Sequence, residues 1–148
     1  MKLKFIIAAM SAAFSFAAAP AANAVEIDVA STFPKDMMFL GDGLKQFAKS
    51  VDEISGGDIK IKIHGAGDLV PALEVLNAVS SGAVSGGYDW VGYWGGSIPV
   101  ANLVGALPFG PTPEVLAEWI WEGGGMQIIQ KAYDKHNVKF LPCVVVPA

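Results

Sequence analysis

The sequence predicts an α/β fold, a mostly parallel sheet flanked by helices, and three observations carry that prediction. Ile59, Ile61 and Ile63 alternate with Lys60, Lys62 and His64, the period of a strand with one apolar face. Leu40, Leu44, Phe47, Val51 and Ile54 recur at steps of three and four, the period of an amphipathic helix. Such segments follow one another as β-α-β-α-β, then a loop, then α-α-β. Alternation of this kind sets strands side by side in parallel with helices packed on them.

The amino terminus lies outside that pattern. Lys2 and Lys4 precede an uncharged, mostly apolar run, Phe5 to Ala19, and Ala22-Asn23-Ala24 follows. A basic start, an apolar run of 15 residues and a small-residue cleavage site describe a removable secretory signal. A membrane-spanning helix needs about 20 apolar residues. Residues 1–24 are therefore expected to be a signal peptide, and residues 25–148 one α/β domain.

Val25-Glu26-Ile27-Asp28-Val29 alternates and reads as the first strand, with Ser31–Asp36 as a loop. Asp36 is the expected N-cap of the first helix and Gly56-Gly57 its stop. The Ile59–Ile63 strand carries lysines on its other face, which suits a sheet edge because charge discourages foreign strand pairing. After Gly65-Ala66-Gly67 a second helix is expected to carry Leu69, Leu73, Leu76 and Val79, with Pro71 near its first turn. A short strand is expected near Gly87–Trp90. Thr112-Pro113-Glu114 has the order of a capped helix start, and Gly123-Gly124-Gly125 should interrupt that helix, since each interior glycine costs about 1 kcal/mol. Met126–Lys135 resumes it, and Val138–Val146 is expected to be a last strand, with Pro142 excluded from an ordinary central ladder.

Composition narrows the function. The chain holds 10 lysines, 14 acidic residues and no arginine. Without its first 24 residues it has eight lysines and a formal charge of −6. Such a chain is a poor partner for nucleic acid. A single cysteine, Cys143, rules out an internal disulfide framework. Set in an apolar run, it reads as a small buried hydrophobe. Catalytic signals are absent. His64 on an exposed strand face and His136 at a helix end have no partner at motif spacing, and no metal-ligand spacing occurs. No cofactor, no metal and no enzymatic activity are expected.

The informative stretch is Trp90–Pro113, 24 residues without a charge, holding Trp90, Tyr93, Trp94, Phe109, five glycines and four prolines. Ligand clefts are apolar and aromatic with a few placed polar groups. Tyr93, Asn102 and the indole N–H groups of Trp90 and Trp94 could supply those, although plain core filling has the same composition. Phe33 and Lys35 lie in the loop that leaves the first strand, at the carboxyl edge where open α/β sheets bind ligands. Gly65-Ala66-Gly67-Asp68 could receive an anion at a helix start, but a connecting loop explains it as well or better, since the dinucleotide spacing and the Walker lysine are missing.

These residues carry a resemblance. Val70-Pro71-Ala72-Leu73-Glu74-Val75-Leu76-Asn77-Ala78-Val79, Gly92-Tyr93-Trp94-Gly95, Leu107-Pro108-Phe109-Gly110-Pro111, Trp121-Glu122-Gly123-Gly124-Gly125 and Phe140-Leu141-Pro142-Cys143 occur in that order. The chain resembles the amino-terminal part of a solute receptor of TRAP transporters, the DctP family, and most of all the branch that binds 2-oxo acids and other carboxylates. The resemblance implies a periplasmic-binding-protein-like (type II) fold with two domains closing on a ligand, of which the second is missing here. It implies a periplasmic location, a small organic acid as ligand, a membrane permease as partner, and room for a homodimer. Phe33, Tyr93, Trp94 and Asn102 are the ligand-contact candidates it assigns to this half. Family members are more than twice as long and hold the carboxylate with an arginine of the second domain. With no arginine, residues 25–148 alone are expected to bind weakly or not at all. Two other readings remain open from the residues: a small secreted α/β enzyme, and an interaction module using the aromatic segment as a partner surface.

Overall fold

The computed structural model describes residues 24–105 and 107–143. Residues 1–23 of the expected signal peptide and the end of the expected last strand, residues 144–146, lie outside them.

Three parallel strands form the sheet: β1 (Val25–Ser31), β2 (Ile59–His64) and β3 (Gly86–Tyr88), in the order β2-β1-β3. β1 is the centre, registered Val25 to Ile59 on one side and Val29 to Gly86 on the other. Its burial rises along its length until Val29, Ala30 and Ser31 are almost wholly covered. β2 is an edge strand among the described residues, with Lys60 and Lys62 in solvent, as the lysine alternation predicts. β2 lies to one side of β1 and β3 to the other, so the direction of winding reverses between β1 and β3. That reversal is the point where open α/β sheets leave a crevice at their carboxyl ends.

Helix α1 (Leu40–Ile54) packs on β2 and α2 (Val75–Ser80) on β3. Gly87 lets α2 come close: a Cβ there would sit 2.7 Å from Val75 Cγ1. α3 (Ala101–Gly105), α4 (Pro113–Trp121) and α5 (Gly125–Tyr133) complete the helical layer. Leu76, Ile98, Ala101, Ile120, Ile129 and Tyr133 form one core cluster, joining α2 to α5 through side chains that are at most 8% exposed. The α4–α5 break falls at the glycines: Gly124 has φ +86°, which a residue with a Cβ adopts only at a cost. Thr112 caps α4, accepting the Val115 N–H, with Pro113 at the first position.

Five expectations are corrected. Asp36 does not cap α1. The helix starts at Leu40 after Phe39, held at φ 66°, and the Asp36 carboxylate pairs with Lys45 at 2.9 Å instead. The second helix does not carry Leu69 and Leu73. Ala72–Glu74 is a 3₁₀ turn after Pro71, the α-helix begins only at Val75, and both leucines are exposed. His64 is not on an open face. It is mostly covered and its Nε2 lies 2.7 Å from Asp28 Oδ1 on the neighbouring strand. Val138–Cys143 is not a strand. The Gln130 side chain takes the Phe140 N–H and donates to the Val138 carbonyl, so side-chain bonds replace the ladder. Cys143 there is exposed, not buried.

Candidate functional site

The carboxyl ends of the three strands meet through their own backbone. Thr32 N–H donates to the Tyr88 carbonyl, tying the end of β1 to that of β3, and Ala66 N–H donates to the Phe33 carbonyl from the β2 side. Phe33 N–H is held by Ser31 Oγ, and the Phe33 ring stands edge-on to Tyr88 with centroids 5.9 Å apart. Phe33, half-buried, therefore sits on this rim.

The segment after β3 is more ordered than the expected loop. Val91–Trp94 is a 3₁₀ turn and Ala101–Gly105 is α3. The two touch backbone to backbone: a Cβ on Gly105 would lie 2.6 Å from Gly92 Cα. Trp90 fixes the contact by donating its indole N–H to the Gly105 carbonyl at 3.1 Å, while its ring lies perpendicular to Tyr93 at 5.0 Å. Trp94 packs against the core cluster, and its indole N–H goes to Asp89. Asn102 is exposed but donates its amide to the Gly95 carbonyl at 2.9 Å. So both indole N–H groups and the Asn102 amide, expected as polar contacts for a ligand, are bonded within the domain. Tyr93 is 45% exposed, and its hydroxyl has no hydrogen bond among the described residues. Phe109, at φ 58°, is fully exposed.

Asp89 is the residue that sequence reasoning missed. It bounds the neutral segment on its amino side, one residue before Trp90, as Glu114 bounds the other end, and that boundary was the available signal. Its Oδ1 accepts the Thr32 hydroxyl at 2.6 Å and the Trp90 N–H at 2.7 Å, and its Oδ2 accepts the Trp94 indole at 2.5 Å. Burial raises its pKa above the ordinary 3.8, against the lowering effect of those three donors. Its charge adds to burial in pushing the Tyr133 phenol up to about 12. Tyr133 is 3% exposed and its hydroxyl has no partner among the described residues.

On the β2 side, Lys35 is paired to Asp68 at 2.9 Å, and the same Asp68 oxygen accepts the Gly65 N–H. The Gly65–Asp68 loop thus carries its own carboxylate, and the turn after it is a three-residue 3₁₀ piece. It lacks the helix N-terminus that an anion site needs. Among the described residues no three His, Cys, Asp or Glu side chains gather as a metal site. An apolar hollow of about 410 Å³ lies elsewhere, between Leu44 and Phe47 of α1, Tyr88, Trp121 and Leu141. No described helix is long and apolar enough to cross a membrane.

Residues 30–145 match the family of bacterial extracellular solute-binding proteins, family 7, or DctP. The chain belongs to the DctP family. A monocarboxylate 2-oxoacid-binding periplasmic protein from Nostoc sp. is 38% identical over 100 residues, 68% of this chain and 28% of that protein. A TRAP periplasmic solute-binding protein from Pseudoalteromonas atlantica, solved with bound sodium and pyruvate, matches with a TM-score of 0.73 and 30% identity, over 77% of this chain and 35% of that one. The one from Colwellia psychrerythraea, with calcium and pyruvate, has the same score at 29% identity, over 77% and 35%. A Bordetella bronchiseptica receptor with calcium and picolinate reaches 0.74 at 25% identity, over 78% and 34%. This DctP chain spans about a third of the length of these relatives. Its α/β layout is the expected periplasmic-binding-protein-like one of type II.

Proposed function

We propose that this chain is the first domain of the solute receptor of a TRAP-type secondary transporter, and that the solute is a small carboxylate of the 2-oxo acid class. Residues 1–24 export it to the periplasm and are removed. Residues 25–148 supply one wall of a cleft that closes on the solute, which a membrane permease then receives. A homodimer is compatible with this role. The receptor performs no chemistry on its ligand.

One observation carries the reading: the neutral aromatic segment of a DctP chain sits at the carboxyl edge of the sheet, beside the β1–β3 reversal, and leaves Tyr93 45% exposed. Phe33 lies across the same rim. Trp94 and Asn102 contribute shape to this wall, their N–H groups being engaged inside it. A carboxylate also needs a cation, and Lys35 is already paired. A planar arginine fork from an opposite wall would fit best. The relatives' bound metals find no donor cluster among the described residues here, so no step involving a cation is assigned to this domain.

Isothermal titration tests the reading. The protein expressed from its complete gene should bind pyruvate or a related 2-oxo acid at micromolar or tighter concentrations and ignore neutral sugars. Absence of binding to any small carboxylate would refute it. Residues 25–148 alone should bind far more weakly, and equal affinity would remove the need for an opposite wall.

A further inference from the structure

Tyr93 stands on a short turn with little of its own to hold it. A 3₁₀ turn of four residues makes few, poorly aligned hydrogen bonds. Here the N-cap position is Trp90, which offers no side-chain cap, and glycines flank Tyr93 and Trp94 at positions 92 and 95. Such a segment would be free to move unless tied down. The tie is the carboxylate of Asp89. Oδ1 holds the Trp90 N–H at the start of the turn, and Oδ2 holds the Trp94 indole N–H at its end. Oδ1 also takes the Thr32 hydroxyl, one residue from Phe33. One side chain thus brackets the turn and anchors it to the neighbouring strand end, across the β1–β3 reversal.

We propose that Asp89 is the positioning residue of the solute cleft: it fixes the Tyr93 turn from both ends and, through Thr32, sets the spacing between the Tyr93 and Phe33 sides of the rim. The inference rests on the receptor reading above. Hydrogen bonds to an ionised acceptor are stronger than neutral ones, and all three donors lie close to the Asp89 carboxylate, at 2.5–2.7 Å. The residue does not touch the solute. Half-buried beneath the turn, it has three donors converging on it and acts through the residues it holds.

Asp89→Asn is the test. Its amide keeps one acceptor oxygen but sets an NH₂ group against the Trp94 indole N–H, donor facing donor. Three readouts are taken on the protein expressed from its complete gene: pyruvate affinity, the indole N–H proton resonance of Trp94, and the thermal midpoint. Thr32→Val, which removes only the hydroxyl, is measured alongside, and Asp89→Asn is repeated in a Trp94→Phe background.

Asp89→Asn should weaken pyruvate binding by roughly tenfold or more, because misplacing a contact by about 1 Å costs that much or more. The Trp94 indole resonance should move upfield and exchange faster. Thr32→Val should weaken binding to a lesser extent while leaving the indole resonance in place. In the Trp94→Phe background Asp89→Asn should cost much less than in the wild type, since the coupled partner is gone. Unchanged affinity and an unchanged indole resonance in Asp89→Asn would overturn the proposal, as would a full, additive loss in the Trp94→Phe background. Should Asp89→Asn fail to fold, Thr32→Val decides, and wild-type affinity there overturns the link to the Phe33 side. If the wild type binds no carboxylate the receptor reading fails, while the indole resonance still reports whether Asp89 brackets the turn.

Discussion

Asp89 Oδ2 accepts the indole N–H of Trp94 at 2.5 Å, so the charge that opens a 24-residue neutral segment is spent inside the domain. That bond joins the end of β3 to the helical core, because Trp94 also packs against the core cluster. It gives the proposed cleft wall a fixed shape.

The Asp89 carboxyl makes this segment sensitive to pH. Burial, the largest influence, holds the Asp89 pKa above the 3.8 of the unfolded chain. Between those two values the folded state binds more protons than the unfolded state. Asp89 therefore contributes stability that is fully present below 3.8 and lost as pH rises through its folded pKa. Asp36 and Asp68, held low by their lysine partners Lys45 and Lys35, work in the opposite sense, and their contributions disappear as pH falls. Tryptophan fluorescence should titrate with a midpoint above 3.8 as protonation of Asp89 removes an acceptor. The Asp89→Asn variant should lose that transition.

Tyr133→Phe should leave stability unchanged or raise it. The hydroxyl is buried and has no partner among the described residues, and such a group costs about 1–3 kcal/mol. Chemical denaturation would show the gain. In the wild type, phenolate absorbance should show one tyrosine ionising at about 12, and the variant should lack it.

Gly105→Ala should disturb the wall without touching its side chains. Its Cβ would stand 2.6 Å from Gly92 Cα, a backbone contact that cannot yield cheaply. Overpacking of this kind costs about 1–3 kcal/mol. Pyruvate affinity should fall with stability, because Gly92 belongs to the Tyr93 turn. A variant with wild-type melting and affinity would show that α3 and the turn move apart freely.

Ile129→Ala should be the costliest single core truncation. The side chain is wholly buried in the cluster that joins α2 to α5, and removal of such a side chain costs about 2–5 kcal/mol. Equilibrium denaturation would measure it. A loss below 1 kcal/mol would mean that the helical layer is not one packed unit.

Much of this fold was legible in the sequence because local periodicity and turn chemistry agreed with the final packing. The Ile59–Ile63 alternation gave an edge strand, Thr112-Pro113 gave a capped helix start, and the glycine triplet gave the break after α4. Errors arose where a tertiary partner outbid a local signal. Asp36 has the composition of an N-cap, yet Lys45 takes it. Phe140 and Val138 look like strand residues, yet Gln130 claims their backbone. The candidate site was legible in outline only. An uncharged aromatic run points to a wall but cannot tell which polar groups stay free. Folding engages Trp90, Trp94 and Asn102 internally and leaves Tyr93. Beyond its place at the segment boundary, the role of Asp89 was illegible because it comes from three donors brought together by the sheet reversal, one of them 57 residues away in sequence.

The most direct measurement is amide chemical-shift mapping of the protein, expressed from its complete gene, as pyruvate is added. The shifts should concentrate at Thr32–Phe33 and along Trp90–Asn102, with Tyr93 among the largest. Shifts gathered instead around Phe47, Trp121 and Leu141, or no shifts along the carboxyl edge at saturating pyruvate, would contradict the account.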